Sequence, residues 1–301
     1  MTSTSELQSL QEQFAQVPGV AVTKGPGGLT VIGIVNRHAE ASIALHGAHV
    51  LSFQPRGANP ALWVSRHSQF AAKAPIRGGI PICWPWFGPH PDDPAKPAHG
   101  FARISQWTVV DISGGEDPRV RLALTDSDAT RALWPHPFRL ELTVTLGTGL
   151  DVELLMQNPG TGPFTCSEAL HCYFAVSSVD RMSIEGLHGC AYLDKVAGSA
   201  RREQTGPIAV TAETDRVYLE TTGDCVIVDA GWDRRIRVAK RGSATTVVWN
   251  PWVNRSRQLP DFGDEEYREM VCVETANAAD DRITVEPGGE HRLATTLSIE
   301  A

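Results

Sequence analysis

The chain has 301 residues, of which 42% are hydrophobic, and its formal net charge is −8 at pH 7. This composition predicts a globular protein with a substantial core and argues against disorder over most of the length. The acidic balance also argues against a nucleic-acid partner, because phosphate backbones favour basic protein surfaces. It does not exclude a small phosphorylated ligand, since two local arginines can bind one phosphate.

The N-terminal residues are polar and predict one short helix rather than a targeting segment. Ser5 is placed to cap this helix, and Leu7, Leu10 and Phe14 repeat at the three-and-four spacing of an apolar stripe. The sequence shows neither the basic start and apolar run of a signal peptide nor a stretch as long as a membrane span. We therefore expect a helical extension over residues 1–20 on a soluble, cytoplasmic protein that has no membrane partner.

Beyond this helix, short runs of β-branched and apolar residues are separated by Gly, Pro, Asp and Asn, a pattern typical of strands. The run Arg235-Ile-Arg-Val238 alternates polar with apolar residues, as a half-buried strand does. The sequence Leu146-Gly-Thr-Gly-Leu150 predicts a hairpin turn. The clearest predicted strands are 107–112, 120–125, 140–146, 150–157, 225–229, 235–240, 245–249, 270–274 and 293–299.

Many closely spaced strands with few helices indicate an antiparallel all-β fold. No composition shift marks a linker, so we predict a single domain over residues 1–301, built from two large packed sheets with a few short helices. The six cysteines lack the close spacing of a zinc knuckle or a redox motif. We expect them to be buried, reduced thiols.

The segment 76–104 differs from the rest because it is rich in Gly, Pro and Trp and has little periodicity. A long irregular stretch inside a compact domain is usually functional. Arg77 precedes two glycines, which we expect to let the backbone approach a ligand closely. The aromatic residues Trp84, Trp86 and Phe87 are either the wall of a sugar site or part of the core.

A second arginine lies in the same segment, in the run His99-Gly-Phe-Ala-Arg103. Two arginines from two loops can hold a phosphate or carboxylate through forked hydrogen bonds. A lone surface arginine is usually only solvated. Arg77 and Arg103 are distinguished by the glycine-containing loops in which they lie.

Two titratable residues interrupt apolar runs. His171 follows Glu168-Ala-Leu170 in an apolar run and, taken alone, indicates a core histidine. Glu274 ends the run Met270-Val-Cys-Val273, where a carboxylate is costly unless it is paired or faces a cavity. It is either a strand-end residue that reaches water or a base with a raised pKa.

Other polar residues give weaker signals. Asp215 lies in a polar loop that leads into a strand and by itself indicates a solvated turn. His46 and His49 are three residues apart, so on a strand they point to opposite faces and do not share a metal ion. The sequence contains no P-loop, Rossmann glycine pattern or nucleophile elbow.

Taken together, the motifs resemble one family. In chain order they are Arg77-Gly-Gly-Ile-Pro-Ile-Cys-Trp-Pro-Trp-Phe-Gly88, His99-Gly-Phe-Ala-Arg103, Leu170-His-Cys-Tyr-Phe174, Thr214-Asp-Arg216, Trp249-Asn-Pro-Trp252 and Cys272-Val-Glu274. This ordered set resembles the D-hexose-6-phosphate mutarotases, also called glucose-6-phosphate 1-epimerases, of the aldose 1-epimerase superfamily. The resemblance extends from about Gly47 to Gly288.

The resemblance implies a β-supersandwich of the galactose mutarotase type and an isomerase that interconverts the α and β anomers of hexose 6-phosphates without a cofactor or a metal. It implies that Glu274 is the catalytic base and that His171 is the acid. It implies substrate-binding roles for Arg77, His99, Arg103 and Asp215. We expect glucose 6-phosphate to be the substrate and the protein to be a monomer.

Two departures and two alternatives accompany this interpretation. Ala98 stands where the family often has Gln, and Thr275-Ala276 follow Glu274 where some relatives have Pro-Gly. The alternatives are an aldose 1-epimerase that acts on free sugars and a sugar-phosphate binding module without catalytic activity. Comparing the turnover of free glucose with that of glucose 6-phosphate distinguishes the first alternative. Ligand binding without accelerated anomer exchange identifies the second.

Overall fold

The computed structural model describes residues 4–300 of the chain. Within that range the α-helices are α1 (Thr4–Phe14), α2 (Asp128–Leu133) and α3 (Trp252–Ser256). The expected N-terminal helix is therefore confirmed, although it begins at Thr4 and Ser5 lies inside it rather than at its cap. Its apolar stripe ends at the buried Phe14 and packs against the main core.

Strands are the main regular secondary structure of the described chain. The first twelve are β1 (Val20–Lys24), β2 (Thr30–Val35), β3 (Ala39–Ala44), β4 (His49–Pro55), β5 (Ile82–Cys83), β6 (Thr108–Ser113), β7 (Arg119–Thr125), β8 (Arg139–Leu146), β9 (Leu150–Gln157), β10 (Phe164–Cys166), β11 (Glu168–Leu170) and β12 (Tyr173–Ala175). The next ten are β13 (Met182–Glu185), β14 (Ala191–Asp194), β15 (Ala200–Glu203), β16 (Thr214–Tyr218), β17 (Cys225–Asp229), β18 (Arg234–Arg241), β19 (Thr245–Asn250), β20 (Met270–Asn277), β21 (Ile283–Val285) and β22 (Glu290–Glu300).

Two eight-stranded sheets dominate the architecture. The first has the order β13-β17-β18-β22-β9-β8-β7-β6. The second has the order β15-β14-β16-β19-β20-β11-β5, with β12 also paired to β20. A four-stranded sheet, β1-β2-β3-β4, and the pair β10-β21 complete the set. The ladders between these strands are antiparallel, and each strand predicted from the sequence overlaps an observed one, so the all-β prediction is confirmed.

The core lies where the two large sheets face each other. Buried and half-buried positions alternate along β8 and β9, whose inward residues include Leu142, Val144 and Leu154. Val248 and Val273 of the second sheet belong to the same apolar cluster. Burying such a side chain contributes about 1.5–3 kcal/mol each, so this shared layer holds the sandwich together.

Strand β20 differs from β8 and β9 because all eight of its residues are buried. Val271 and Val273 face the core between the sheets, while Cys272 and Glu274 point to the opposite face. The sequence prediction ended this strand at Glu274, but pairing with β11 and β19 continues beyond it. Glu274 therefore lies in mid-strand, covered on both sides, and not at a strand end open to water.

Five of the six cysteines are buried, Cys190 is half-buried, and all six are free thiols, in agreement with the expectation from the sequence. Among the residues that the structure describes, no helix has the length and apolar character needed to cross a membrane.

Candidate active site

A cavity of about 990 Å³ opens on the outer face of the second sheet. Strand register places Asp215 of β16 opposite Trp249 of β19, Trp249 opposite Cys272 of β20, and Cys272 opposite Tyr173 of β12. Glu274 lies one row further along the same face, because side chains two residues apart on a strand share a face. The irregular segment predicted to be functional forms the facing wall.

All six residues singled out from the sequence line this one cavity, although they lie up to 197 positions apart in the chain. They are Arg77, His99, Arg103, His171, Asp215 and Glu274. The fold thus brings together candidates that would each be dismissed alone.

His171 and Glu274 face each other at the floor of the cavity. The Nδ1 atom of His171 lies 3.4 Å from Oε1 of Glu274, and both side chains are buried. Nδ1 of His171 and Oε2 of Glu274 have no hydrogen-bond partner among the described residues. The His171 ring stacks on the ring of Tyr173, with centroids 4.6 Å apart and planes at 6°, and this contact orients it toward the cavity.

Burial acts on both members of this pair against their charged forms. It raises the pKa of Glu274 well above the usual range, and the carboxylate of Asp215 raises it further while Arg103 opposes the shift. Burial lowers the pKa of His171 well below its usual value, and His99 and the two arginines add to this effect. These surroundings therefore favour a neutral histidine beside a protonated glutamate.

Arg77 is held in place by neighbouring protein groups. Its Nε and Nη2 donate to the two carboxylate oxygens of Asp261 at 3.2 and 3.1 Å, and its Nη1 donates to the Tyr173 hydroxyl at 3.1 Å. Burial opposes the charge, but Tyr173 and Asp261 together raise the pKa of Arg77. The positive charge of Arg77 is thus largely offset by Asp261.

Arg103 is held differently, although it lies on the same cavity. Its Nη2 donates to the backbone oxygen of Ala98 at 2.8 Å, and its buried Nε has no partner among the described residues. No carboxylate of the described chain forms an ion pair with it. Arg103 therefore presents an uncompensated positive charge to the cavity.

The two glycines after Arg77 serve a purpose other than the one expected from the sequence. Gly78 and Gly79 both have positive φ, at 115° and 60°. A Cβ on Gly78 would collide with the backbone at Trp63, and one on Gly79 with the backbone oxygen of Val50. The glycines therefore let this loop approach neighbouring backbone segments, and they anchor Arg77 to the fold.

The aromatic residues of the segment divide between the two proposed roles. Trp84 is fully buried in the core beside Phe101 and Trp134. Trp86 and Phe87 line the cavity. The core alternative is therefore correct for Trp84, whereas Phe87 lies at the cavity and Trp86 both lines the cavity and packs in the main core.

His99 reaches the cavity from this wall. Its Nδ1 accepts a hydrogen bond from the Gly88 backbone N–H at 3.3 Å, which leaves Nε2 as the nitrogen that carries the proton. Its ring packs on Phe87 and lies 5.6 Å from the His171 ring centroid. Burial lowers its pKa, and both arginines lower it further, so His99 is a neutral donor toward a ligand.

Asp215 was expected in a loop, but it lies within β16, in register with Trp249. Burial raises its pKa, Glu213 acts in the same direction, and Lys195 and Arg255 oppose the shift. The local polar sequence misled the prediction because the strand has one face on the cavity, where polar residues are allowed.

Several cavity residues escaped sequence reasoning. Trp249 was noticed only as part of a motif, and Asp261, the partner of Arg77, lies 184 positions away from it with no local signal. The exposed cations Lys195, Arg255 and Arg282 stand at the mouth. Spacing alone could not have placed them there.

One set of residues could hold a metal ion. Donor atoms of His171, Cys272 and Glu274 lie within 4.8 Å of one another. The arrangement of the cavity as a whole, with an acid–base pair at the floor, aromatic walls and arginine nearby, suits a small polar ring molecule that carries an anionic group.

Comparisons with known proteins agree with this picture. The family model of aldose 1-epimerase matches residues 30–298. A protein from Escherichia coli (strain K12) is 37% identical over 254 residues, which cover 84% of each chain, and one from Cenchrus ciliaris is 35% identical over 293 residues, which cover 93% of this chain and 88% of the relative. Both carry the name "Putative glucose-6-phosphate 1-epimerase".

Solved structures give the same result. The crystal structure of a Salmonella typhimurium protein described as a "putative mutarotase (YeaD)" superposes with a TM-score of 0.88 at 33% identity, covering 97% of this chain and 99% of that one. A galactose mutarotase-like protein from Clostridium acetobutylicum, at 16% identity and a TM-score of 0.75, shares the fold over 93% of this chain and 98% of its own. The predicted family and fold are thus confirmed: the chain belongs to the aldose 1-epimerase family and is a mutarotase of aldoses or hexose phosphates.

Proposed function

We propose that the protein interconverts the α and β anomers of hexose 6-phosphates, with glucose 6-phosphate as the principal substrate, Glu274 as the base and His171 as the acid. The observation that carries this proposal is the buried His171–Glu274 pair at the floor of a cavity into which Arg103 brings an uncompensated charge. The names of the relatives support the same substrate.

The reaction requires two proton transfers at the anomeric centre. Glu274 removes the proton from the O1 hydroxyl while His171 protonates the ring oxygen O5, and the C1–O5 bond breaks to give the open aldehyde. Rotation about C1–C2 presents the other carbonyl face, and ring closure with the reverse transfers gives the other anomer. General acid and base groups suffice for this chemistry, so the proposed reaction uses no cofactor.

The protonation state of the pair follows from its surroundings. The proposed reaction starts from an ionised Glu274 and a protonated His171. This state holds the same number of protons as the two neutral side chains that burial favours, but the proton lies on His171 and not on Glu274. A phosphate dianion bound at Arg103 cancels part of the positive charge that lowers the pKa of His171. Because Arg103 also lowers the pKa of Glu274, binding of the phosphorylated sugar raises the pKa of both groups, and the proposal requires the increase to be larger at His171.

The two arginines divide the binding of substrate between them in this proposal. Arg103 is the primary phosphate ligand because it has no carboxylate partner, and burial increases the value of a charge-assisted hydrogen bond. Arg77 is locked by Asp261 and contacts sugar oxygens with its remaining N–H groups. The cations at the cavity mouth attract an anionic substrate toward this acidic protein.

Ala98 gives the proposal a specific local feature. The family often has Gln at this position, and here the exposed Ala98 contributes its backbone oxygen to Arg103. The contact that a Gln side chain would make to the substrate is therefore absent from this chain. His99 and Asp215 remain to bind hydroxyl groups of the sugar, while Trp249 and Phe87 offer aromatic faces to its apolar surface.

The experiment that tests the proposal is an NMR measurement of anomer exchange with glucose 6-phosphate, galactose 6-phosphate and glucose, corrected for uncatalysed exchange. We expect glucose 6-phosphate to exchange fastest. The variants Glu274→Gln and His171→Ala should each lower the rate by a factor of about 10²–10⁴. Faster exchange of glucose would favour the free-aldose alternative. Binding of glucose 6-phosphate without accelerated exchange, or near-normal rates in both variants, would contradict the proposal.

A further inference from the structure

Three different metal-binding side chains meet at one edge of the cavity, which His171 and Glu274 line and Cys272 does not. Cys272 and Glu274 lie two residues apart on β20 and so share the face that points away from the sandwich core. His171 follows the end of β11, the strand paired with the far end of β20. A ring nitrogen of His171, the Cys272 sulfur and a Glu274 oxygen lie within 4.8 Å of one another, and all three residues are buried.

Two of these donors have unused binding capacity. Nδ1 of His171 and Oε2 of Glu274 are buried and have no hydrogen-bond partner among the described residues. An unsatisfied buried polar group costs about 1–3 kcal/mol, so such atoms are normally paired. A cation between them would satisfy both.

We propose that His171, Cys272 and Glu274 form an inhibitory site for Zn²⁺, with a water molecule from the cavity as the fourth ligand. Imidazole, thiolate and carboxylate are the ligands that Zn²⁺ takes in tetrahedral sites. Magnesium and calcium prefer sets made only of oxygen ligands, so they fit this site poorly.

The charges of the site are compatible with such an ion. Binding displaces two protons to solvent, one from the Cys272 thiol and one from the Glu274 carboxyl group, and the resulting thiolate and carboxylate supply two negative charges against the two positive charges of the metal. The charge of Arg77 is offset by Asp261, which leaves Arg103 as the nearby cation that opposes the metal.

Occupation of the site would stop the proposed reaction. The metal would take the lone pairs of His171 and Glu274 that otherwise exchange protons with the sugar, so neither residue could act. Zinc and substrate would also compete for the floor of the cavity. The activity part of this inference rests on the proposed function, whereas binding of the metal does not.

The first test uses the full chain, treated with a chelator and then titrated with ZnCl₂ during the anomer-exchange assay. Cys272→Ala removes one ligand, and Cys172→Ala is the matched control, because Cys172 adjoins His171 but packs in the core between the sheets. We expect zinc to inhibit the wild type and Cys172→Ala alike, with recovery on chelation, and MgCl₂ to have no effect. In Cys272→Ala the half-inhibiting zinc concentration should rise by at least about tenfold, while metal-free exchange is unchanged.

A second measurement does not depend on catalysis. Cobalt(II) added to the wild type should give the intense near-ultraviolet band of a cobalt–thiolate bond, and this band should be missing in Cys272→Ala but present in Cys172→Ala. If the band forms and the wild type shows no anomer exchange, the metal site stands and the proposed function fails. Normal exchange without the band, or equal zinc sensitivity of the wild type and Cys272→Ala, would overturn the metal site.

Discussion

In two places of the described structure a buried glutamate lies beside a histidine, and the two pairs look alike at first. His171 and Glu274, which line the cavity, approach to 3.4 Å, and His291 and Glu168, which do not line it, approach to 3.3 Å. Both glutamates are almost completely buried, and burial raises the pKa of each. Distance and burial alone therefore do not distinguish a catalytic pair from a structural one.

The two histidines differ in the charges that surround them. Burial lowers the pKa of His171, and a second histidine and two arginines lower it further. Burial also opposes the charge of His291, but Glu168, the Gly242 backbone and Asp281 together raise its pKa. The neutral form is thus favoured for His171 and the charged form for His291. The surroundings beyond the contact decide what each pair does.

Replacing each of the two glutamates by glutamine should give the largest difference between the two pairs, measured as the rate of anomer exchange. Glu274→Gln removes the proposed base and should slow anomer exchange by about 10²–10⁴-fold. Glu168→Gln should leave exchange close to the wild-type rate, because this residue does not line the cavity. NMR exchange rates of both variants with glucose 6-phosphate check this. Equal losses would mean that Glu168 takes part in the reaction or that the pairs are coupled.

Replacement of His291 should lower the free energy of unfolding. His291→Ala leaves the Glu168 carboxylate buried without its partner, which costs about 3–5 kcal/mol for a buried ion pair. Urea unfolding should show this loss. The double variant Glu168→Gln/His291→Ala removes the charge as well and should recover part of it. If the double variant is no more stable than His291→Ala, the pair does not interact as described.

Replacement of Arg103 should raise the pKa of His171, the proposed acid, and so bring it closer in behaviour to His291. Arg103→Gln takes away a cation that lowers the pKa of His171, so the pKa of His171 should rise and the pH–rate profile should shift toward higher pH. Loss of a charge-assisted hydrogen bond of about 1.5–3 kcal/mol should also raise KM for glucose 6-phosphate by about 10- to 100-fold.

Glucose provides the control for Arg103→Gln, because it has no phosphate group that could contact Arg103. Its exchange should change much less than that of glucose 6-phosphate. An equal loss for both sugars would show that Arg103 acts on the fold or on the common part of the substrate.

The smallest effect concerns the pH dependence of stability, where the two histidines have opposite signs. The pKa of His291 is raised on folding, so its contribution is complete below about pH 6.5, its unfolded pKa, and is lost as pH rises through the folded pKa. The pKa of His171 is lowered on folding, so its contribution is complete above about pH 6.5 and is lost as pH falls.

Urea unfolding of His291→Gln and His171→Gln between pH 5 and 8 checks these signs. At each pH the free energy of unfolding of the variant is compared with that of the wild type. Relative to the wild type, His291→Gln should become less destabilised as pH rises, and His171→Gln less destabilised as pH falls. Parallel trends in the two variants would contradict the assigned surroundings.

The fold was largely predictable because its signals are local. The alternation along β8 and β9 and the glycines between Leu146 and Leu150 define strands and a turn without reference to the rest of the chain. Predictions failed where one face of a strand lines the cavity. Glu274 looked like a strand end because a carboxylate interrupted an apolar run, and Asp215 looked like part of a loop because its neighbours are polar.

The candidate site was predictable only as a set of motifs. Glu168 and Glu274 occupy similar apolar stretches, and nothing in either stretch shows that Arg77 and Arg103 lie near one pair while Asp281 lies near the other. The Asp261 that offsets Arg77 lies in a distant segment. Charge balance depends on such long-range contacts, which periodicity and spacing do not contain.

The position of Glu274 in β20 also has a consequence for motion. This strand is hydrogen-bonded along both edges and buried on both faces. Its amides should therefore exchange with deuterium only through large-scale opening of the fold, among the slowest in the protein. The backbone that carries the Glu274 carboxyl group is therefore ordered without a ligand, so the proposed binding of a sugar would cost little conformational entropy at this strand.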